Sequence, residues 1–278
     1  MYPILATEEL VPRVRLYRIH APRVAQKAAA GQFVILRVDD NGERIPLTIA
    51  DWNVTEGSVS VVFMEVGTTT TKLSRLGVGD TIADFVGPLG NQTEVEDFGT
   101  VCLMAGGFAT ATIMPIARAM KAAGNHVITI VGARNKDLLF WLDRLAAFSD
   151  ELIISTDDGS AGRKGVVTEP IKEKLERGDK IDRVIAIGPS IMMKFSALTT
   201  QTFGVKTIVS MNPIMIDGTG MCGCCRVSVA GQTRFACVDG PEFDAHAIDW
   251  DSFMSRQRTY IEEEKRSLEV CRCPEAQS

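Results

Sequence analysis

The chain has 278 residues, enough for one large or two ordinary domains, and its 45% hydrophobic and 23% charged residues suit a globular protein. A formal net charge of −5 argues against nucleic acid as the main partner. No stretch reaches the length of a membrane span, and the opening MYPILATEELVPRVRLYRIH lacks the charged-then-apolar layout of a signal peptide, so a cytoplasmic address with no membrane partner is expected.

The first ninety or so residues alternate. RVRLYRIH, GQFVILRV, RIPLTIAD, SVSVVFMEV and DTIADFVG read as strands rich in Val, Ile, Phe and Thr, separated by glycine-bearing turns. Such spacing predicts a small antiparallel barrel over residues 1–97, interrupted by one short helix at TTTKLSRL. Near residue 100 the period changes. VCLMAG, HVITIVGA, ELIIST, RVIAIG and VKTIVS read as buried strands, alternating with helices at TATIMPIARAMKAAG, KDLLFWLDRLAAF, VTEPIKEKLERG and IMMKFSALTTQ. That alternation predicts a parallel sheet covered on both faces over residues 98–210, with ligands at the carboxyl ends of its strands. After Ser210 the periodicity stops. Residues 211–278 hold a cysteine segment and a charged helix over DSFMSRQRTYIEEEKRSLEV, expected on the surface or against a partner. The fold class is therefore β plus α/β, with a third, cysteine-rich segment at the end.

Seven cysteines are present, at 102, 222, 224, 225, 237, 271 and 273, and four of them fall between 222 and 237. A cytoplasmic chain does not use them as a disulfide framework, and the clustering points to metal. Asp217 is followed by four residues, Cys222, two residues, Cys225, eleven residues and Cys237. The plant-type two-iron cluster uses C-x4-C-x2-C and a distant Cys, so the segment matches with aspartate in the first position. A carboxylate is anionic like a thiolate and can bind iron, although oxygen is the harder donor. Gly218, Gly220 and Gly223 let the loop curl so that backbone N–H groups face the sulfurs. Asp217, Cys222, Cys225 and Cys237 rank ahead of any set using Cys224. A zinc site would use paired C-x2-C motifs, and a dithiol pair would sit at a helix N-terminus; both rank behind the two-iron cluster. Cys271 and Cys273 form a weaker candidate pair, and His20, His126 and His246 read as surface or packing residues.

A one-electron cluster needs a partner that feeds or drains it. In ERIPLTIAD, Arg44 can pair with a pyrophosphate in a bidentate fork, and Thr48 can hydrogen-bond a flavin ring. In VGTTTTKL, Gly67 and four threonines open a helix, where backbone N–H groups hold phosphate, though simple N-capping explains the threonines equally well. In the second domain, AGGFATATIMP places Gly106 and Gly107 where a backbone can approach a ligand closely, without the G-x-G-x-x-G fingerprint. DDGSAGRKG at 157–165 and IGPSIMMK, with Gly188 and Pro189, fall at the same sheet edge; ordinary turns are the plainer alternative.

The order of RIPLT, the GPLG turn at 87–90, AGG, DDGSAGRKG, GPSIMM and a two-iron loop resembles the ferredoxin–NADP reductase superfamily, in the branch of the dihydroorotate dehydrogenase electron-transfer subunits. The likeness covers nearly the whole chain. Asp217 followed by GTGMCGCCR and FACVDGPEFD is similar to the small subunits of NADH-dependent ferredoxin:NADP oxidoreductases, also called sulfide dehydrogenase small subunits, whereas the dihydroorotate branch normally carries four cysteines. The resemblance implies FAD in the barrel, NAD(H) rather than NADP(H) at the sheet, and a [2Fe-2S] cluster at a subunit boundary. It also implies a heterodimer with a larger subunit carrying a second flavin and [4Fe-4S] clusters, and ferredoxin reached through the complex. Carried over by motif, Arg44, Pro46, Leu47 and Thr48 hold the flavin, Gly67 and Thr70 meet its phosphates, and Gly106, Gly107, Asp157, Asp158, Gly188 and Pro189 frame the nicotinamide nucleotide. Many reductases of the superfamily have Cys before that Gly-Pro; here it is Ile187, so no residue is assigned a proton-transfer role. Arg134 can accept a 2′-phosphate. The expected activity is hydride exchange between NAD(H) and FAD, then single-electron transfer through the cluster, in an electron-bifurcating complex. The alternatives are a dihydroorotate dehydrogenase electron-transfer subunit and a flavin/iron–sulfur sensor without turnover.

Overall fold

The computed structural model describes residues 1–271, and its strands form two seven-stranded sheets and a separate hairpin. The first sheet takes β1 (Tyr2–Val11), β2 (Val14–His20), β3 (Phe33–Arg37), β4 (Arg44–Asn53), β5 (Ser58–Met64), β6 (Thr81–Ile82) and β7 (Asp84–Leu89). Two short helices, α1 (Pro22–Ala25) and α2 (Thr68–Leu73), are set between its strands. The order is β6-β1-β2-β5-β4-β3-β7, antiparallel throughout. Its two edges, β6 and β7, are separated in the chain only by Ala83, whose N–H donates to the Val38 carbonyl at 3.2 Å, so the sheet curls to near closure. The predicted strand DTIADFVG is thus two strands on opposite edges.

Period-2 alternation decides what each strand buries. Val34 and Leu36 point into the barrel core with Ile19, Val61 and Phe63, while Phe33 and Ile35 point out of it against the cysteine segment. Tyr17 is buried and donates from its hydroxyl toward the Leu73 and Leu76 carbonyls (2.9 and 2.6 Å), which seats α2; burial pushes its phenol up to about 12. The strand β1 was not among the predicted ones. Beyond Ile4 its residues are mostly exposed or half-buried, so pairing with β2 and β6 makes it a strand, not its own pattern.

The second sheet begins with β8 (Thr100–Gly106), α3 (Thr110–Ala122), β9 (His126–Ala133), α4 (Leu142–Ala146), β10 (Glu151–Thr156) and β11 (Arg163–Lys164). It continues with α5 (Thr168–Glu176), β12 (Arg183–Ile187), α6 (Ser190–Gln201) and β13 (Thr207–Ser210). Then come a hairpin of β14 (Arg226–Val229) and β15 (Gln232–Phe235), β16 (Glu242–Asp244), α7 (Trp250–Gln257) and α8 (Ile261–Val270). The strand order is β11-β10-β9-β8-β12-β13-β16, parallel except for β16, which the third segment adds antiparallel to β13. Along β8, Val101, Leu103 and Ala105 face α3, while Cys102 and Met104 face the side covered by α5, α6 and α7. Burial on both faces explains why VCLMAG is apolar without alternation.

Two predicted helices are broken. KDLLFWLDRLAAF yields a 3-10 turn at Lys136–Leu138 and then α4, because Trp141 turns left-handed at φ 56°. Phe140 is drawn instead into a cluster with Val14, Ala50 and Val62 of the barrel, a tertiary contact that overrides helix propensity. The charged C-terminal helix divides into α7, which buries Trp250 and Phe253, and α8, which buries nothing and meets α2 through Thr68 Oγ1 and Ser267 Oγ at 2.9 Å. Among the described residues no helix is long and apolar enough to cross a membrane.

Candidate functional site

The strand order reverses at β8: β9 lies on one side and β12 on the other. In open parallel sheets such a switch point, at the carboxyl ends of the strands, is where ligands bind. Gly106 ends β8 and Gly188 follows β12, and the two loops touch. A Cβ built on Gly106 would lie 2.6 Å from Met192 Sδ and 2.9 Å from Pro189 Cδ, so no larger residue fits there without moving a neighbour. Gly107 has φ 61°, and a Cβ there would meet nothing within 4 Å, so its side facing solvent is open to a ligand. Asp157 and Asp158 lie two strands away, after β10, with their N–H groups on the Ala133 and Arg134 carbonyls (3.1 and 3.2 Å). Hydrogen bonds from Ser160 hold the Asp158 carboxyl below its ordinary range. The structure therefore sets Gly106, Gly107, Gly188 and Pro189 together and the aspartates farther along the same edge.

Arg44, Pro46, Leu47 and Thr48 all lie on β4, in register with Arg37, Ile35, Val34 and Phe33 of β3. Arg44 turns to the cysteine segment: its Nε donates to the Ile216 carbonyl at 3.0 Å and an Nη to the Asp217 carbonyl at 3.4 Å. The fork expected on a pyrophosphate rests here on the loop backbone. Gly67 is the extended residue before α2, and the Thr70 hydroxyl accepts from the N–H groups of Val66 and Gly67 (3.0 and 3.1 Å). Thr70 thus caps its own helix, and Gly67, with no atom within 4 Å of a built Cβ, supplies the open side.

The cysteine loop winds through left-handed glycines at 218, 220 and 223 (φ 83°, 85° and 68°). A Cβ on Gly218 would lie 2.8 Å from Ile35 and Leu89 side-chain carbons, which is how closely the loop is laid on the barrel. Cys225 and Cys237 are buried with their sulfurs 3.2 Å apart, packed against Phe33 and Ile35. Burial, then the Cys225 contact, pushes the Cys237 thiol up to about 12; a bound cation would reverse that by deprotonating it. Cys222 is exposed, and backbone hydrogen bonding at Cys224 lowers its thiol, while burial raises that of Cys224. Asp217 accepts hydrogen bonds from the Thr219 hydroxyl and N–H, which hold its carboxyl below the ordinary range. Cys225 and Cys237 are brought together, but among the described residues no three His, Cys, Asp or Glu close into a metal-holding group. The chemistry of the donors, thiols on a glycine loop with Cys225 and Cys237 already converged, fits an iron–sulfur cluster. Cys102 is fully buried and lies in the second sheet, away from this loop. Cys273 lies outside the described residues.

Two groups of residues escaped the sequence reading. Asp51, three positions past Thr48 on β4, accepts from Arg118 of α3 at 3.0 Å and Arg144 of α4 at 3.2 Å. The two guanidinium groups lie over Trp52 and Trp141, 5.1 and 4.0 Å from the ring centroids. At the other end, Arg256 and Gln257 of α7 reach the cysteine loop and the start of α6. No motif marks either set, since lone charges on helices read as solvated faces.

A family profile for the iron–sulfur cluster binding domain of dihydroorotate dehydrogenase B matches residues 212–249. The Thermotoga maritima protein named dihydroorotate dehydrogenase B (NAD(+)), electron transfer subunit homolog, is 51% identical over 270 residues, which is 95% of each chain. The Clostridium perfringens dihydroorotate dehydrogenase B (NAD(+)), electron transfer subunit, is 30% identical over 81% of this chain and 88% of its own. Among solved structures, a chain from a study of flavin-based electron bifurcation in the NADH-dependent reduced ferredoxin-NADP oxidoreductase superposes with a TM-score of 0.91. It is 50% identical, over 97% of each chain.

Proposed function

This chain belongs to the family of dihydroorotate dehydrogenase B electron-transfer subunits, within the ferredoxin–NADP reductase superfamily, and on that premise we propose that it carries electrons between NAD(H) and a larger flavoprotein partner. Bound FAD would exchange a hydride with the nicotinamide and single electrons with a [2Fe-2S] cluster. The residues of the chain supply position and electrostatics. Gly106, Gly107, Gly188 and Pro189 give a nucleotide close backbone approach at the switch point, with Asp157 and Asp158 at its far end. Pro46, Leu47 and Thr48 present one edge of β4 to the flavin, Gly67 and Thr70 open α2 toward its phosphates, and Arg44 joins that strand to the cluster loop. Asp217, Cys222, Cys225 and Cys237 are the proposed ligands.

The observation that carries this reading is the packing of Phe33 and Ile35 of β3 on Cys225 and Cys237, with the flavin strand β4 hydrogen-bonded to β3. Neighbouring strands lie about 4.8 Å apart, so one strand separates the proposed flavin edge from the proposed ligands. The 50% identical neighbour, together with Asp217 in place of a first cysteine, favours a ferredoxin:NADP type of complex, in which the partner would bifurcate electrons. The names of the curated relatives favour a dihydroorotate dehydrogenase partner as the second reading.

Anaerobic purification of the native chain, with mass spectrometry of what accompanies it, tests both. A large flavin subunit with four-iron motifs is the expected outcome; a dihydroorotate dehydrogenase catalytic subunit would transfer the chain to the second reading. NADH should bleach the flavin absorbance of the pure holoprotein and do so better than NADPH. Flavin that stays oxidised under NADH would make the chain a sensor and not a reductase subunit.

A further inference from the structure

We propose that α7 couples occupancy of the nucleotide crevice to the reduction potential of the cluster, with Gln257 and Arg256 as its positioning residues. The inference rests on the reading of the β12–α6 turn as part of the nucleotide crevice and of the cysteine loop as the cluster loop.

Consecutive residues in the last turn of α7 grip the two sites. Gln257 Oε1 accepts from Ser190 Oγ at 2.5 Å, and its Nε2 donates to the Asn212 carbonyl at 3.1 Å and to Asn212 Oδ1 at 3.2 Å. Ser190 is the first residue of α6 and follows Pro189 directly. Arg256 donates to the carbonyl of Cys224 at 3.2 Å, the carbonyl of the peptide that leads into Cys225. The helix that carries both grips meets α6 and the core beneath it. Lys194 Nζ pairs with Asp251 at 2.6 Å, and Trp250 and Phe253 are buried in the core that holds Met193. A nucleotide that presses on Gly188 and Pro189 moves the start of α6, and that start is bonded to Gln257. The neighbouring residue then carries the movement to the 224–225 peptide.

Chemistry makes that peptide a sensitive place. Hydrogen bonds and charge around the sulfurs set cluster potentials. A [2Fe-2S] cluster held by this loop would be one unit more negative when reduced, so the Arg256 guanidinium bonded to the loop would favour the reduced form and raise the potential. Any change in the grip of Arg256 on Cys224 alters both that charge and the orientation of the peptide N–H groups. Energetic coupling of this kind is reciprocal: whatever factor the nucleotide applies to reduction, reduction applies to nucleotide affinity.

The test uses the holoprotein with its partner subunit and 1,4,5,6-tetrahydro-NAD, which keeps the shape of NADH but has no hydride to give. The cluster is titrated reductively and followed by its electron paramagnetic resonance signal, with and without the analogue. In the wild type, saturating analogue should shift the reduction equilibrium about threefold, about 28 mV for a one-electron couple at 59 mV per tenfold. Gln257→Ala should still bind the analogue by calorimetry but lose the shift. Arg256→Gln should lower the midpoint without any nucleotide and lose the shift as well. The analogue's affinity for reduced and oxidised protein should differ by the same threefold factor. A wild-type midpoint and g-values that do not move at saturation overturn the coupling while leaving the crevice and the cluster in place. An analogue that does not bind, or a chain with no two-iron signal, overturns the underlying reading and this inference with it.

Discussion

Removal of the Asp51 carboxylate should loosen the second domain from the barrel. Asp51 accepts three hydrogen bonds: from the Trp52 N–H at 3.0 Å, Arg118 at 3.0 Å and Arg144 at 3.2 Å. The first is local, and the other two cross between the sheets. All three side chains of the cluster are partly exposed, at 29%, 35% and 41%, so each pair is taken at about 0.5–1 kcal/mol, not at the worth of a buried one. Asp51→Ala therefore costs about 1–2 kcal/mol across the junction, about a five- to thirty-fold rise in its opening equilibrium. The two arginines keep their tryptophan faces and their access to water, so no large penalty for unpaired buried charge is added. Hydrogen exchange at α4 is the assay, because the Leu145 and Ala147 amides are bonded to the Trp141 and Asp143 carbonyls and exchange only when the helix opens. Their exchange should quicken by about five- to thirty-fold in Asp51→Ala, and salt should quicken the wild type but not the variant. Lys121→Ala, which breaks the Lys121–Asp150 pair at 2.6 Å within the second domain, serves as the control. Equal exchange in Asp51→Ala and wild type, or the same rise in the control, would refute a latch at Asp51.

Gly106→Ala puts a methyl group 2.6 Å from Met192 Sδ and 2.9 Å from Pro189 Cδ at a residue whose φ of −109° is itself unstrained. Overpacking of that kind costs about 1–3 kcal/mol of stability, and the groups that must give way, Met192 and Pro189, belong to the proposed nucleotide loops, so nucleotide affinity by calorimetry should fall, about fivefold or more where at least about 1 kcal/mol of that strain is felt on binding; unchanged affinity would place the nucleotide elsewhere. Asp217→Ala should disturb the visible and magnetic spectra of the cluster more than Cys224→Ala does. If Cys224→Ala removes the iron and Asp217→Ala leaves the spectrum unchanged, Cys224 is the ligand. Glu242, facing Thr93, Glu94 and Arg183, has its carboxyl pushed above the ordinary range by burial, with the Thr93 hydrogen bond at 2.6 Å pulling the other way. A folded pKa above the unfolded one gives stability that is complete below the unfolded pKa and is lost as pH rises through the folded one. Urea midpoints of Glu242→Gln relative to wild type should therefore improve from about pH 4 upward; a constant difference would mean that Glu242 titrates alike in both states.

Legibility in the sequence followed the range of the forces involved. VCLMAG, HVITIVGA and ELIIST were found almost to the residue, because each carries a run of consecutive apolar residues, as a strand covered on both faces requires, bounded by polar or glycine positions. The strand β1 was not, since its partners make it a strand and its own side chains remain largely exposed. The hairpin at Arg226–Phe235 was legible in principle: RVSVAGQTRF alternates around Ala230-Gly231, and both turn residues take positive φ (50° and 73°). It was hidden by the irregular cysteine loop beside it. Trp141 shows the opposite failure. Its segment has a helical pattern, and only the fold reveals that Phe140 is needed in the barrel interface and Arg144 over the indole.

The candidate site divides along the same line. Glycines and cysteines announce themselves because few residue types can take a left-handed turn, let two loops approach closely or bind iron, so the spacing from Asp217 to Cys237 and the pair Gly106 and Gly188 stand out in one dimension. What joins them is carried by residues of ordinary type. Arg44 lies 172 positions before the carbonyl it holds, and Arg256 lies 32 after Cys224. Nothing about an arginine in a strand or a helix says which backbone it will meet; the pairing exists only once β16 has laid the third segment against β13 and α7 has settled on α6. The centres of such a chain are written as motifs, while the contacts that set their spacing and potential are written as topology. Those contacts, at Arg44, Asp51, Arg256 and Gln257, are where substitutions should separate binding of the groups from communication between them.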